Sequence, residues 1–293
     1  MAVIIDGKEV ARKKREEVKN RAGALRDKGV VPCLAVVLVG EDPASLSYVT
    51  AKEKALAEAD MGSRDFRLPR ETTQDEVLSL IAQLNADPLV HGILVQLPLP
   101  PSINEEQVIT AIDPAKDVDG FHPVSVGNMV LGRPGFLPCT PHGVVVLLRE
   151  LKIPLSGAHA VILGRSNIVG KPLANLLARR DINATVTICH TGTRNTADLT
   201  RQADILIAAA GKPGLVGADM VKEGAEVIDV GVNRVPDSSA KKGYRLRGDV
   251  DFEAVAQKAG FITPVPGGVG PMTIAMLLQN VVQAAEGQTK FYE

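Results

Sequence analysis

Tyr48 and Lys52 stand four residues apart in the stretch "SYVTAKEKAL", a spacing that lets a phenol and an amine share one face of a helix. A lysine moves protons near neutral pH only when its pKa is lowered, as burial does. The plainer reading is an exposed lysine beside a half-buried tyrosine, because such pairs are common on helices. The helix itself is well signalled. Asp42 suits an N-cap, Pro43 suits the first helical position, and Ala, Leu, Glu and Lys then dominate, which predicts a helix from Pro43 to Ala59. Its apolar stripe (Leu46, Val49, Ala51, Ala55, Leu56, Ala59) is less tidy than a core helix needs.

The second chemical stretch is "AVILGRSNIVGKPLANLL", a glycine-bearing loop between a strand and a helix. Pyrophosphate groups bind where helix N-terminal amides meet such loops. The glycines are Gly164 and Gly170, so the common G-x-G-x-x-G is missing and the context carries the reading. The next strand, "ATVTICH", ends in His190, Thr191 and Gly192 with no carboxylate that would repel a 2′-phosphate. Arg165 in the loop can supply charge-assisted hydrogen bonds, which favours NADP over NAD. Read plainly, Arg165 is a solvated loop arginine and His190 a strand-end residue.

The elements that must position these residues alternate. "AVII", "PCLAVVLVG", "RDFRLP" and "VHGILVQLPLP" read as strands, and charged or amphipathic helices separate them. "SVGNMVLGRPGFLPCTP" (Ser125–Pro141) is dense in glycine and proline and reads as an inter-domain connection before a helix over "HGVVVLLRELK". "HAVILG", "ATVTICH", "ADILIAAAG" and "AEVIDVGVN" are further strands. "FITPVPGGVGP" is extended and, read plainly, a rigid turn ahead of "MTIAMLLQNVVQAAEG", a last apolar helix with Pro271 at its first position. This rhythm predicts an α/β protein whose sheets are open and mostly parallel, with ligands beyond the carboxyl ends of strands. Gln96, Tyr48 and the loop "DPAKDVDGFHP" fall at or just after such ends.

The chain has 293 residues, enough for two domains, and is 45% hydrophobic and 23% charged, as globular proteins are. A net charge of -1 implies no bulk attraction to nucleic acid or an anionic membrane. No apolar run has transmembrane length, and the start "MAVIIDGKEVARKK" lacks a signal peptide's apolar centre. Three scattered cysteines (Cys33, Cys139, Cys189) form neither a disulfide framework nor a metal pattern, which suits the cytoplasm.

Seven motifs occur in order: "YVTAKEKA", "GILVQLPLP", "KDVDGFHP", "PCTP.GV", "VILGRSNIVGKP", "DVGVNR" and "ITPVPGGVGPMT". Together they resemble the bifunctional methylenetetrahydrofolate dehydrogenase/methenyltetrahydrofolate cyclohydrolase family across essentially the whole chain. The resemblance implies an N-terminal α/β folate (catalytic) domain over 1–140, joined by the C-terminal helix 271–293. It implies a C-terminal Rossmann-type NAD(P)-binding domain over 141–270, a homodimer, and NADP as cofactor. It implies that Lys52 handles protons in the cyclohydrolase step, that Tyr48 packs against the folate, that Gln96 tunes Lys52, and that Asp119 binds the pterin's amino and ring nitrogens. Val95 and Leu97 flank Gln96 in the expected folate site, and Pro266, Gly267, Gly268, Val269 and Gly270 line it. Gly164, Arg165, Ser166, Thr191 and Val232 correspond to cofactor contacts. Hydride is expected to pass directly from the methylene carbon to the nicotinamide, with no metal.

One departure bears on the cofactor. The family often has H-S-[RK]-T after the second Rossmann strand, and this chain has "HTGT" (His190–Thr193). Thr191 can replace the serine hydroxyl, but Gly192 removes a basic side chain. Three other readings compete. A short-chain dehydrogenase also carries Y-x-x-x-K, but after its nucleotide loop rather than far before it. A shikimate-dehydrogenase-like protein shares the domain order but not "DVDGFHP" or "PVPGGVGP". A folate sensor without chemistry would not need Lys52 and Gln96.

Overall fold

The computed structural model describes residues 1–240 and 243–289. The chain divides into two units, one of Arg12–Cys139 with the residues from Ile274 onward, the other of Met1–Ala11 with Thr140–Thr273.

The 12–139 unit is built on a three-stranded parallel sheet. Its central strand β2 (Cys33–Val39) lies between β3 (Gly62–Leu68) and β4 (Gly92–Val95). All seven positions of β2 are buried, which is why "CLAVVLV" reads as one unbroken apolar run. Parallel neighbours need crossovers, and two helices supply them. Helix α2 (Pro43–Glu58) joins β2 to β3, with Asp42 accepting from the Ser45 amide at 2.8 Å as its cap. Helix α3 (Gln74–Ala86) joins β3 to β4 behind a reciprocal Thr73/Glu76 capping box. The chain thus passes from one side of β2 to the other, and the crevice beyond the carboxyl ends of β2 and β4 is where such sheets take ligands. Ala35, Val37, Ile81, Ile93 and Val108 form the core beneath it. After α4 (Glu105–Ala111), residues 116–119 run parallel to β4 through an Ile93–Asp117 bridge.

In the 140–273 unit a six-stranded, all-parallel sheet has the order β1-β11-β8-β7-β5-β6. The strands are β1 (Val3–Ile4), β5 (His159–Leu163), β6 (Thr185–Cys189), β7 (Ile205–Ala208), β8 (Glu226–Asp229) and β11 (Phe261–Ile262). Helix α7 (Gly170–Leu177) connects β5 to β6, and the chain then crosses to β7 on the other side of β5. The loop after β5 therefore lies at the switch point of a dinucleotide-type sheet. Short helices α8 (Thr196–Thr200) and α9 (Phe252–Val255) complete the layer, around a core of Val161, Leu206, Val227 and Ile262. Three helices run through the unit boundaries in sequence: α1 (Gly7–Arg26), α6 (Cys139–Glu150) and α10 (Val269–Thr289). The last four residues of the helix expected over 271–293 lie outside the described residues.

The structure differs from the sequence reading at four places. "AVII" joins the 140–273 unit, because β1 completes the β11 ladder through Val3 N to Gly260 O (2.8 Å) and Ile5 N to Ile262 O (2.8 Å). Ser125–Pro141 is not mere connection. It contains most of a helix, α5 (Pro123–Val130), capped by His122 Nδ1 accepting from the Val124 amide at 3.0 Å, and the start of α6. Pro123 starts α5 instead of breaking it, and Gly127 has open space beside it. Helix α10 begins at Val269, so Pro271 is its third residue. An antiparallel hairpin, β9 (Asn233–Pro236) with β10 (Tyr244–Arg247), went unread because each strand is only four residues long and neither has a fully buried position to form an apolar run.

Candidate active site

Lys52 is buried (8% exposed), whereas Tyr48 one turn earlier is 43% exposed, the reverse of the plainer sequence reading. The Lys52 ammonium nitrogen donates to Gln96 Oε1 at 3.0 Å. Gln96 stands directly after β4, its amide donating to Val37 O at 2.8 Å, so the backbone on both sides is fixed by the sheet. Its side-chain Nε2 donates to Leu97 O at 2.8 Å, which turns the amide oxygen toward the lysine. Burial pushes the Lys52 pKa below the ordinary lysine value, while the Asp119 carboxylate and then the Cys139 thiol act in the opposite direction. Gln96 orients the amine with a neutral dipole and adds no countercharge that would hold it protonated.

Asp119 is partly covered at its surface, yet its carboxyl group is deep enough that burial raises the pKa to about 6. The Lys52 charge lowers it and Asp117 raises it further. In this loop the turn-capping role falls to Asp117 rather than to Asp119. Asp117, 2% exposed, accepts from the Phe121 amide (3.2 Å) and the His122 amide (2.9 Å). Lys116, also buried, donates to Leu84 O (3.0 Å) and Asp87 O (2.7 Å). In "KDVDG" the first two charged residues thus anchor the loop and Val118 enters the core, leaving Asp119 beside Lys52. Gly120 completes the turn at φ 73°, where a Cβ would lie 2.7 Å from the Leu137 carbonyl carbon.

Asn280, unread in the sequence, finishes this positioning. It is 1% exposed and donates to Val118 O (2.8 Å) and Leu137 O (3.0 Å), tying α10 to the loop that carries Asp119. The available signal was an asparagine inside the apolar run "MLLQNVVQAA". Val95 packs in the core and Leu97 lies half-buried against it.

The expected cofactor residues all follow carboxyl ends of parallel strands in the 140–273 unit. Gly164 and Arg165 follow β5, Thr191 follows β6, and Val232 follows β8. Gly164 has φ 124°, and a Cβ there would lie 2.1 Å from Ala209 O; a Cβ on Gly170 would lie 2.1 Å from Gly164 O. The backbone cradle has no room for side chains at either glycine, as close approach to a pyrophosphate requires. Ser166 Oγ accepts from the amides of Val169 (3.1 Å) and Gly170 (3.4 Å), fixing the entry to α7. Arg165, Ser166, Thr191 and Val232 are exposed on this end of the sheet. The residues present fit a dinucleotide.

Two buried aspartates missed in the sequence brace the neighbouring loops. Asp229 accepts from the amides of Gly231, Asp249 and Val250, each at 3.0 Å. Asp249 accepts from the amides of Ala210 (2.6 Å) and Gly211 (2.8 Å). The whole of Pro266–Gly270 also belongs to the 140–273 unit, its last two residues opening α10. Its Gly268 is so tightly packed that a Cβ would lie 2.6 Å from the Thr263 Cβ. The rigid-turn reading of this segment is thus accurate as structure.

The family model for the tetrahydrofolate dehydrogenase/cyclohydrolase catalytic domain matches residues 5–119, and that for the NAD(P)-binding domain of the same family matches residues 138–289. "Bifunctional protein FolD" of Moorella thermoacetica is 59% identical over 284 residues, 97% of this chain and 99% of that protein. The crystal structure of the bifunctional enzyme FolD, a methylenetetrahydrofolate dehydrogenase/cyclohydrolase from Campylobacter jejuni, has a TM-score of 0.93 at 50% identity and covers 98% of this chain and 99% of its own. The Trypanosoma brucei enzyme of that description, complexed with NADP cofactor and inhibitor, has a TM-score of 0.94 at 41% identity and covers 99% of both chains. A buried lysine–glutamine pair in one unit, a glycine cradle at a switch point in the other, and two family models that together span nearly all the chain agree on one conclusion: this chain belongs to the tetrahydrofolate dehydrogenase/cyclohydrolase family.

Proposed function

We infer that the chain performs both activities of its family in one-carbon metabolism. It oxidises 5,10-methylenetetrahydrofolate to 5,10-methenyltetrahydrofolate with NADP, then hydrolyses the product to 10-formyltetrahydrofolate. The observation that carries the hydrolytic half is the buried Lys52 amine held 3.0 Å from Gln96 Oε1.

Hydrolysis adds water to the cationic methenyl carbon, and one carbon–nitrogen bond must then break. A base takes the water proton, and a proton must reach the leaving nitrogen. Lys52 performs both transfers once its pKa is lowered, and the cationic substrate lowers it further. Gln96 orients the amine, Tyr48 supplies a ring for the folate to lie against, and Asp119 accepts from the pterin's amino and ring N–H groups. Val95 and Leu97 complete the folate contacts in this assignment. NADP, when bound, takes up the hydride from the methylene carbon. Gly164, Arg165, Ser166, Thr191 and Val232 hold it. We assign folate chemistry to the 12–139 unit and cofactor binding to the 140–273 unit.

The test is an absorbance assay that follows formation and decay of methenyltetrahydrofolate beside NADPH production. A protein that binds folate and turns over neither step would be a sensor instead. Arg165→Ala should raise the Michaelis constant for NADP about ten- to a hundredfold, the worth of a charge-assisted contact to phosphate, and leave that for NAD nearly unchanged. Equal effects on both cofactors would show that Arg165 does not read the 2′-phosphate.

We further propose a homodimer in the cytoplasm that feeds 10-formyltetrahydrofolate to purine, histidine and methionine biosynthesis. The paired-strand potential of β3, which lies at the sheet edge, supports self-association. Sedimentation at micromolar concentration tests it, and a monomer would refute it.

A further inference from the structure

We propose that His190 is a second reader of the 2′-phosphate of NADP, taking the place of the basic side chain that Gly192 lacks. This rests on the reading that Arg165 meets that phosphate.

The imidazole is fixed at one nitrogen. The Gly192 amide donates to His190 Nδ1 at 3.0 Å, and the His190 amide donates to Thr193 Oγ1 at 2.8 Å. A neutral ring that accepts at Nδ1 carries its proton on Nε2. That Nε2 lies 3.4 Å from Arg165 Nη1. A guanidinium only donates, so the two groups are donors facing the same space and cannot satisfy each other. Among the described residues no carboxylate pairs with Arg165. Two convergent donors, one of them cationic, suit an anionic oxygen placed between them.

The location specifies which anion. Arg165 follows β5 and His190 follows β6, adjacent parallel strands in register from His159–Thr185 to Leu163–Cys189. Dinucleotide domains recognise the adenosine ribose 2′ position at the end of this second strand. The chemical class is a phosphomonoester on a ribose 2′ oxygen.

Gly192 joins the two facts. A Cβ at this position would sit 3.2 Å from the His190 Cε1 and 3.3 Å from its Nδ1. A larger residue would press on the ring and disturb its dock against the 192 amide. The glycine that removes one basic side chain from "HTGT" therefore admits the imidazole to the same task.

The experiment is equilibrium binding by calorimetry to wild type, His190→Ala and His190→Gln, with NADPH, NADH, adenosine 2′,5′-bisphosphate and AMP as ligands. His190→Ala should weaken NADPH and the bisphosphate roughly tenfold and leave NADH and AMP unchanged, as loss of one hydrogen bond to a charged group predicts at a half-exposed site. His190→Gln, which can still present a donor, should recover part of the loss. In histidine 15N spectra of wild type, the Nε2–H resonance should shift with the bisphosphate and not with AMP. Equal loss for NADPH and NADH in His190→Ala, or a ring signal indifferent to the bisphosphate, would overturn the proposal and leave His190 a strand-end residue. Wild type that binds NADPH no better than NADH would instead remove the reading of the cofactor on which it rests, and the proposal with it.

Discussion

Lys52→Met yields an enzyme that still oxidises methylenetetrahydrofolate but accumulates the methenyl product. Hydride transfer needs no protein base at the carbon, whereas hydrolysis needs a proton removed from water and another delivered to nitrogen. Positioned proton transfer is worth about 10²–10⁴-fold, so hydrolysis should fall by that factor or to background. Methionine fills the same buried volume without a charge, and the site loses the Gln96 contact but keeps its packing. Gln96→Glu approaches the same phenotype by another route. A carboxylate 3.0 Å from the amine would raise the lysine pKa that burial has lowered, and Lys52 would stay protonated. Tyr48→Phe should be milder on both steps, since the exposed ring has packing as its main task. The measurement is both activities side by side on purified protein, with folding checked by circular dichroism. Hydrolysis at a near wild-type rate in Lys52→Met would reduce Lys52 to a positioning residue.

The fold and the site were legible in the sequence to different depths. The inner strands of both sheets show as apolar runs because they are covered on both faces, and β2 is the extreme case, whereas the edge strand β3 alternates half-buried and exposed residues. Asp42 and Pro43 fix the start of α2, so the shared face of Tyr48 and Lys52 follows from local rules. Which of the two is buried does not follow, because that depends on how α2 packs against β2 and β3. The Lys52–Gln96 bond joins residues 44 apart, and only the sheet order brings them together. Asn280 and the Asp229/Asp249 brace are further cases. Each satisfies backbone amides or carbonyls of loops distant in sequence, and a single polar letter in an apolar run does not say which. Helix α5 was hidden by composition, since glycine and proline mark turns and also start helices.

Asp119→Ala should raise the folate Michaelis constant about a hundredfold for both activities, which separates it from Lys52→Met. Two charge-assisted hydrogen bonds to the pterin edge, partly replaced by water, are worth roughly 3 kcal/mol, and that corresponds to this factor. Asp119→Asn should be nearly as harmful, because its amide NH2 would face a donor edge. The wild-type pH profile carries the same signature. Burial lifts the Asp119 pKa above its ordinary value to about 6, with Lys52 opposing and Asp117 reinforcing the shift, and Cys139 is the other titratable group beside it. A raised carboxyl pKa means that the group is ionised above about 6 and neutral below it. The ionised form is the one that accepts both pterin hydrogens. Folate affinity should therefore be full at pH 7.5 and weaken as the pH falls through 6, equally in the dehydrogenase and cyclohydrolase assays. In Asp119→Asn that limb should flatten. Loss of the low-pH limb together with the rise in Michaelis constant identifies the carboxylate as the pterin's partner. A wild-type Michaelis constant in Asp119→Ala would return Asp119 to the role of a turn residue beside the lysine.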